Sequence, residues 1–156
     1  MGGAFQTIRN DENPYKEYNI KLDIPAAQKL AREWPGTIVF SGFEIGIAIP
    51  YPAQSIVDDY NYVPHHPLKE AYIAYIPPPH NRPTWDLTSA LYAVCPDEVY
   101  FGLSSPQKVT FSDTGFTQFK SDKNGKHFYL TVTPEQIKRV TDTFLQLCPR
   151  KPDTVK

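Results

Sequence analysis

Residues 23–41 read DIPAAQKLAREWPGTIVFS and place one helix directly before one strand. Asp23 is a suitable N-cap, Pro25 fits the first helical turn, and the Pro35-Gly36 pair ends the helix. The run from Thr37 to Ser41 is rich in β-branched and aromatic residues, and it predicts a short buried strand. A chain that alternates helix and strand in this way is typical of the α/β class.

On the C-terminal side of this stretch the pattern is more varied. The apolar run Ile45–Ile49 follows Gly42-Phe43-Glu44, and we expect a second buried strand after a tight turn. Residues 51–62 have weak helical periodicity, interrupted by tyrosine and proline, so we expect a mobile loop with one helical turn. Residues 67–76 and 84–95 predict two helices.

The last third of the chain combines short strands with a final helix. Residues 99–132 predict three short antiparallel strands, and Asn124-Gly125 is a strong hairpin signal. Thr133 is the expected N-cap of a helix from Glu135 to Leu147. Helix and strand together, with an antiparallel portion, indicate an α/β or α+β class, between which periodicity does not choose.

Composition limits the functions that this chain can have. Its 156 residues are 40% apolar and 21% charged, which fits one globular domain over residues 1–156. The net charge of -1 provides no field to attract nucleic acid or an anionic membrane. The most apolar run, residues 37–50, is too short to span a bilayer. Cys95 and Cys148 have no partners at metal-ligand spacing, although the sequence permits one disulfide.

Two short motifs carry groups that suit a sugar site. Glu17 and Asn19 flank Tyr18, and in an extended segment their side chains would point the same way, toward two sugar hydroxyls. The same pattern is typical of a solvated strand edge. Asp86 follows Trp85 at the start of a predicted helix, where a carboxylate is either a cap or a cation ligand beside a stacking indole.

The histidines and tyrosines of the loops complete the set of candidates. His65, His66 and His80 lie in proline-rich loops and are acid/base candidates that titrate near neutrality, whereas we expect His127 to be structural or exposed. The segment 58–62 reads DDYNY and is either a lid with aromatic platforms or an ordinary polar loop.

Taken together, several motifs resemble the second half of the nucleoside hydrolase family, the nucleoside N-ribohydrolases that include inosine/uridine-preferring enzymes. The resemblance spans nearly the whole chain, and its most specific part is E-[FY]-N-I followed by D-x-x-A-A. It is carried by MGGA at 1–4, EYNI at 17–20, DIPAA at 23–27, VFSG at 39–42 and WDL at 85–87, with weaker likeness at 102–109 and 114–117.

The resemblance implies a fold and a set of roles. The fold would be the C-terminal half of an open mixed α/β sheet with flanking helices, with its site at the carboxyl ends of the strands. A calcium ion would bind the ribose hydroxyls and the attacking water, with Asp86 as its ligand from this chain. Ribose contacts would come from Glu17, Asn19, Met1 packed on the sugar, and an upstream asparagine, Asn13 or Asn10.

Two departures from the family pattern shape the expected function. The family's aspartate-rich D-x-D-x-x-x-D-D signature, which supplies the catalytic base, is missing from this sequence. We therefore expect a C-terminal fragment that needs the N-terminal half of the same protein, and that associates with it or forms a homo-oligomer. Many members place His immediately before the calcium-binding Asp, where this chain has Trp85.

The leaving group must then be protonated or stabilised in another way. His80, His65 or His66 would serve as the acid, or aromatic stacking by Trp85, Tyr60 and Tyr62 would replace it. The expected function is calcium-dependent hydrolysis of the N-glycosidic bond of a ribonucleoside or related glycoside. The alternatives are a non-catalytic, calcium-dependent sugar-binding module and a set of matches that reflect the fold alone. The compartment is left open between the cytoplasm and an exported location.

Overall fold

The structure is a computed structural model that describes residues 1–6 and 15–152. The predicted sugar contact Asn13 and its alternative Asn10 lie outside the described residues. The helices are α1 (Tyr18–Leu22), α2 (Ile24–Glu33), α3 (Phe43–Ala48), α4 (Ala53–Asp58), α5 (Pro67–Tyr75), α6 (Trp85–Val94) and α7 (Pro134–Leu147). The strands are β1 (Ile38–Phe40), β2 (Pro50–Tyr51), β3 (Arg82–Pro83), β4 (Gly102–Leu103), β5 (Gln107–Phe111), β6 (Thr117–Ser121) and β7 (His127–Thr131).

The larger sheet is open and mixed, with the strand order β1-β7-β5-β6. Strand β1 is parallel to β7, and β5 is antiparallel to both β6 and β7. Strand β4 pairs with the last residues of β7, and a separate two-stranded sheet joins β2 to β3. The mixture of helix and open mixed sheet confirms the predicted α/β character.

Local capping signals identified two helices correctly. In α2, Asp23 Oδ1 accepts a hydrogen bond from the Ala26 N–H at 3.0 Å. In α7, Thr133 and Gln136 form a reciprocal capping box, in which each side chain accepts from the backbone N–H of the other. The helices at 67–75 and 85–94 also fall where the sequence predicted them.

The prediction of a strand at Ile45–Ile49 is wrong, because these residues belong to α3 and its C-cap. A short apolar run does not distinguish a buried strand from a buried helix by periodicity. Here the helix packs against α6, and its buried residues include Ile45 and Gly46. The segment 51–62 also contains more regular structure than predicted, since Tyr51 joins β2 and residues 53–58 form α4.

The hairpin prediction at Asn124-Gly125 is wrong as well. Strand β5 lies between β6 and β7, so this turn connects strands that are not neighbours. The hairpin that joins adjacent strands links β5 to β6, where the Ser112 N–H donates to the Phe116 carbonyl at 2.9 Å. Gly115 in this turn has φ +87°, a conformation that glycine adopts without strain.

The apolar core has two parts on either side of the large sheet's first strand. The larger part packs α3, α4 and α6 against α7, with Ile49, Ile56 and Val140 almost fully buried. The smaller part packs α2 on β1 and β5. His127 is buried at its edge and accepts the Val109 N–H at 3.0 Å, which confirms a structural role. Within the described residues, no helix combines the length and apolar character needed to cross a membrane.

Candidate functional site

The N-terminal segment, residues 1–5, follows the chain just beyond the carboxyl end of β1. The Gly2 N–H donates to the Ser41 carbonyl at 2.9 Å, and the Phe43 N–H donates to the Gly3 carbonyl at 2.9 Å. Gly3 has φ +83°. Residues distant in sequence therefore meet at the strand end, which is where ligands bind in many open α/β sheets.

Glu17 holds this segment from the protein interior. Its carboxylate is 2% exposed and accepts backbone N–H groups from Gly3 at 3.3 Å, Asn19 at 3.0 Å and Ile20 at 3.2 Å. Glu17 is the N-cap of α1 and does not lie in an extended strand. Asn19 is exposed, and its side chain turns toward Met1.

A second buried carboxylate, Glu44, was not singled out from the sequence. Both of its oxygens accept the Phe5 N–H, at 3.2 and 3.3 Å. Burial raises the pKa of Glu44, while its own N–H and that of Phe5 act in the opposite direction. The only sequence signal was a charged residue inside the apolar stretch from Phe43 to Ile49. Glu17 and Glu44 together fix the backbone of residues 3–5.

Met1 brings two of the predicted site residues together. Its amino group lies 3.6 Å from Asp86 Oδ1, and the Asn19 side-chain amide lies 3.3 Å from its carbonyl oxygen and 3.5 Å from its sulfur. The side chain of Met1 is buried, whereas that of Asp86 is 82% exposed. The structure therefore places Asn19 and Asp86, which are far apart in sequence, next to the same methionine.

Trp85 has an unusual backbone conformation, with φ +21° at the first residue of α6. Its ring centroid lies 5.1 Å from that of Phe43, which in turn lies 4.2 Å from that of Tyr15. The carbonyl of Trp85 accepts the hydroxyl of Thr88 at 2.6 Å, and this fully buried hydroxyl lies 2.7 Å from that of Ser41. Non-glycine residues rarely adopt a positive φ without such support.

Thr84 precedes Trp85 at the N-cap position of α6. Its hydroxyl donates to the Ile49 carbonyl at 2.7 Å and does not cap α6. The Thr84 N–H also donates to the Gly46 carbonyl at 3.2 Å. These bonds tie the start of α6 to α3, so the Trp85-Asp86 pair is held by a helix that the sequence had indicated as a strand.

A cleft of about 430 Å³ opens beside Trp85 and Asp86. Its walls are mainly apolar and aromatic, and its charged groups are Asp86 and Arg82. The guanidinium of Arg82 lies over the ring of Tyr75 at 4.0 Å. The residues that give the cleft its apolar character include Leu68, Tyr72, Trp85, Leu87 and Ala90. A planar, largely apolar ligand group suits such walls.

The other predicted aromatic and histidine residues lie in different places. Tyr60 lines the cleft but is only 1% exposed, because it belongs to the larger core. Tyr62 is half-buried and its hydroxyl lies 2.8 Å from His66 Nε2, outside the lining of the cleft. His65 is exposed beside Glu70 at 2.7 Å.

His80 is separated from the cleft by Tyr72. The two rings stack with their centroids 4.6 Å apart, and the Tyr72 hydroxyl donates to the His80 carbonyl. Neither ring nitrogen of His80 has a hydrogen-bond partner among the described residues. The structure therefore brings Met1, Asn19, Trp85 and Asp86 together but does not bring His80 to them.

The implied calcium ion can be tested against the oxygen donors present. Calcium takes six to eight oxygen ligands. Among residues 1–6 and 15–152, no group of three or more His, Cys, Asp or Glu side chains could hold a metal ion. Asp86 offers one exposed carboxylate, so these residues do not complete a calcium site by themselves.

Comparison of the chain with protein-family models, with curated proteins and with solved structures gave no match. The resemblance to nucleoside hydrolases therefore stays a prediction. The site itself combines the exposed carboxylate of Asp86 and the exposed amide of Asn19 at the end of β1, next to an aromatic cleft.

Proposed function

We propose that this chain is the sugar-binding part of a hydrolase related to nucleoside hydrolases. Its substrates would be ribonucleosides or related glycosides, and the broken bond would be the N-glycosidic bond. The observation that supports the proposal is the approach of Asn19 and Asp86 to Met1, because the resemblance implies a ribose-side role for all three. This cluster lies at the carboxyl end of β1.

The exposed amide of Asn19 suits a hydroxyl of a ribose ring, and the buried carboxylate of Glu17 holds the backbone beside it. Asn19 is exposed and carries both donors and an acceptor. An ionised carboxylate has about four acceptor positions, and backbone N–H groups occupy three of those on Glu17. Because Glu17 is 2% exposed, it would act on the sugar through the backbone that it holds, beside the buried side chain of Met1.

The charge at this site also suits the reaction. Cleavage of an N-glycosidic bond passes through a state in which positive charge develops on the sugar. Carboxylates near the ring stabilise that charge. Asp86 and Glu17 would contribute such an effect from this chain, and the cleft beside Trp85 would receive the leaving base.

The remaining groups would come from the N-terminal half of the same protein, as a separate segment or polypeptide. Calcium, when bound, would lower the pKa of the attacking water. Asp86 is the ligand that this chain would contribute, and the other oxygen ligands and the base would lie on the partner. Trp85 would stack on the leaving group where a histidine stands in many nucleoside hydrolases.

Calorimetric titration with D-ribose, with and without calcium, tests the proposal on the chain together with its partner. We expect calcium-dependent ribose binding that Asp86→Asn weakens at least tenfold. The matched control is Asp97→Asn, which changes an exposed carboxylate that lies outside the cleft. Calcium-independent binding, or equal effects of the two substitutions, would contradict the proposed role of Asp86.

A nucleoside panel separates the enzyme from a binding module. The hydrolase proposal predicts release of free base and ribose by the complete protein in the presence of calcium. Ribose binding without release of base from any nucleoside would favour the non-catalytic sugar-binding module. The presence of Trp85, where many nucleoside hydrolases have a histidine, is the feature that favours this second function.

A further inference from the structure

Three buried hydroxyl groups form a chain behind the apolar cleft. The Tyr51 hydroxyl lies 2.8 Å from Ser55 Oγ and 3.0 Å from the Tyr60 hydroxyl. All three residues are buried, and Tyr51 and Tyr60 line the cleft while Ser55 does not. The three hydroxyl groups therefore belong to buried residues at one region of a mostly apolar wall.

The three hydroxyl groups together have one more hydrogen than the two hydrogen bonds between them require. Each hydroxyl carries one hydrogen, so the three groups have three hydrogens for the two bonds between them. In every arrangement of those two bonds, one hydrogen is left on Ser55, Tyr51 or Tyr60. Within residues 1–6 and 15–152, these hydroxyls have no other hydrogen-bond partner. A buried donor without an acceptor is unfavourable.

We infer that the spare hydrogen is donated to a ligand, and that the cleft selects a planar heteroaromatic ring with a hydrogen-bond acceptor at the Tyr51–Tyr60 pair. The acceptor would be a ring nitrogen or a carbonyl oxygen. This inference rests on the proposed function in identifying that ring as the leaving base of a glycoside. It goes beyond the proposed function because it names the acceptor atom on the ring and the two tyrosines that recognise it.

The two phenols are suited to donate and not to accept as anions. Burial raises the pKa of both Tyr51 and Tyr60, so they stay protonated at neutral pH. Leu68, Tyr72 and Trp85 add apolar and aromatic walls that suit a flat ring. In such surroundings, a single hydrogen bond discriminates strongly between rings of the same shape.

The pair benzimidazole and indole tests the inference directly. The two rings have the same shape and an N–H, but only benzimidazole has an acceptor nitrogen. We expect the full chain to bind benzimidazole about tenfold more tightly than indole, measured by chemical-shift titration. Equal affinity for the two rings, or failure to bind either one, would overturn the inference.

A double variant identifies the donor. Tyr51→Phe or Tyr60→Phe alone leaves one phenol at the cleft, whereas the double variant removes both. We expect the double variant to bind the two rings equally, with indole affinity unchanged. Tyr100→Phe is the control, because Tyr100 lies outside the cleft. A preference for benzimidazole that persists in a folded double variant would overturn the assignment to these phenols.

The result is independent of sugar and calcium, because neither probe contains ribose and no metal is added. Loss of calcium-dependent ribose binding, with benzimidazole preference retained, would defeat the proposed function and keep the ring site. Retained ribose binding with equal affinity for the two rings would defeat this inference alone. If the double variant does not fold, the preference of the unmodified chain still decides the point.

Discussion

Gly46 lies directly against Trp85, and no side chain fits between them. A Cβ atom built on Gly46 would overlap Trp85 Cε3 and would lie 3.0 Å from the Trp85 Cα. Because Trp85 has φ +21° and precedes Asp86, this contact between α3 and the start of α6 helps to set the direction of both side chains. The glycine is thus a positioning residue for the candidate site.

We predict that Gly46→Ala displaces the Trp85 ring and lowers the free energy of unfolding by about 1–3 kcal/mol, as expected for an overpacked contact. Urea unfolding measures the loss, and a shift of tryptophan emission reports the displaced ring. Gly36→Ala is a matched control, since a Cβ there would lie 3.3 Å from Nε1 of the half-exposed Trp34. Equal stability of the two variants would contradict the positioning role.

Glu17→Gln should also destabilise the protein, although the two side chains have nearly the same shape. The carboxylate accepts three backbone N–H groups, and in glutamine the amide NH₂ would face at least one of those donors. We expect a loss of about 1–3 kcal/mol, which denaturant unfolding measures. Glu33→Gln, at an exposed position, is the control. A loss no larger than that of the control would contradict a structural role for the carboxylate.

The protein is predicted to associate with a partner chain or with itself. Several large apolar side chains are exposed, including Val94 at 77%, Leu22 at 65% and Val99 at 65%. Exposed apolar groups of this kind mark interfaces when they are contiguous. We expect light scattering after size-exclusion chromatography to give a mass above 17.8 kDa, and Val94→Ser to reduce it. A monomeric mass over the whole concentration range would contradict this prediction.

The sequence predicted those elements whose signals are local. The caps of α2 and α7 are visible in Asp23 and in Thr133-Pro134 because each N-cap bonds to a residue three positions away. Helix α3 was missed because its short apolar run takes its form from packing against α6. The Asn124-Gly125 turn was misread because strand neighbours depend on β5, which lies between the two strands in space.

The candidate site was predicted only in part, for a similar reason. Asp86 and Asn19 were identified from motifs, and the structure brings both to Met1. Glu44 was missed, since its importance comes from burial and from the Phe5 N–H, which is 39 positions away. His80 stacks on Tyr72, which lines the cleft, and sequence does not reveal this long-range placement. Which residues meet at the site therefore depends on long-range packing, which local sequence patterns do not reveal.

Glu44 should give the protein a stability that falls as pH rises. Burial raises its folded pKa above the ordinary value of 4.5, so in that range the folded state binds more protons than the unfolded state. The contribution of the protonated form is complete below the ordinary pKa and is lost as pH rises through the folded pKa. Glu44→Gln removes this titration, and we expect the wild type to lose stability relative to the variant as the pH rises from the ordinary value of 4.5 through the folded pKa.

Urea unfolding at several pH values, with the two proteins compared at each, measures this difference. Glu135→Gln is a control of opposite sign, because the Glu135 N–H and the Thr133 hydroxyl lower the pKa of that carboxyl. The wild type should therefore gain stability relative to Glu135→Gln as pH rises through the range below 4.5. A difference between wild type and Glu44→Gln that stays constant with pH would contradict the prediction, because it would mean that the N–H groups of Glu44 and Phe5 fully offset the effect of burial on the pKa of Glu44.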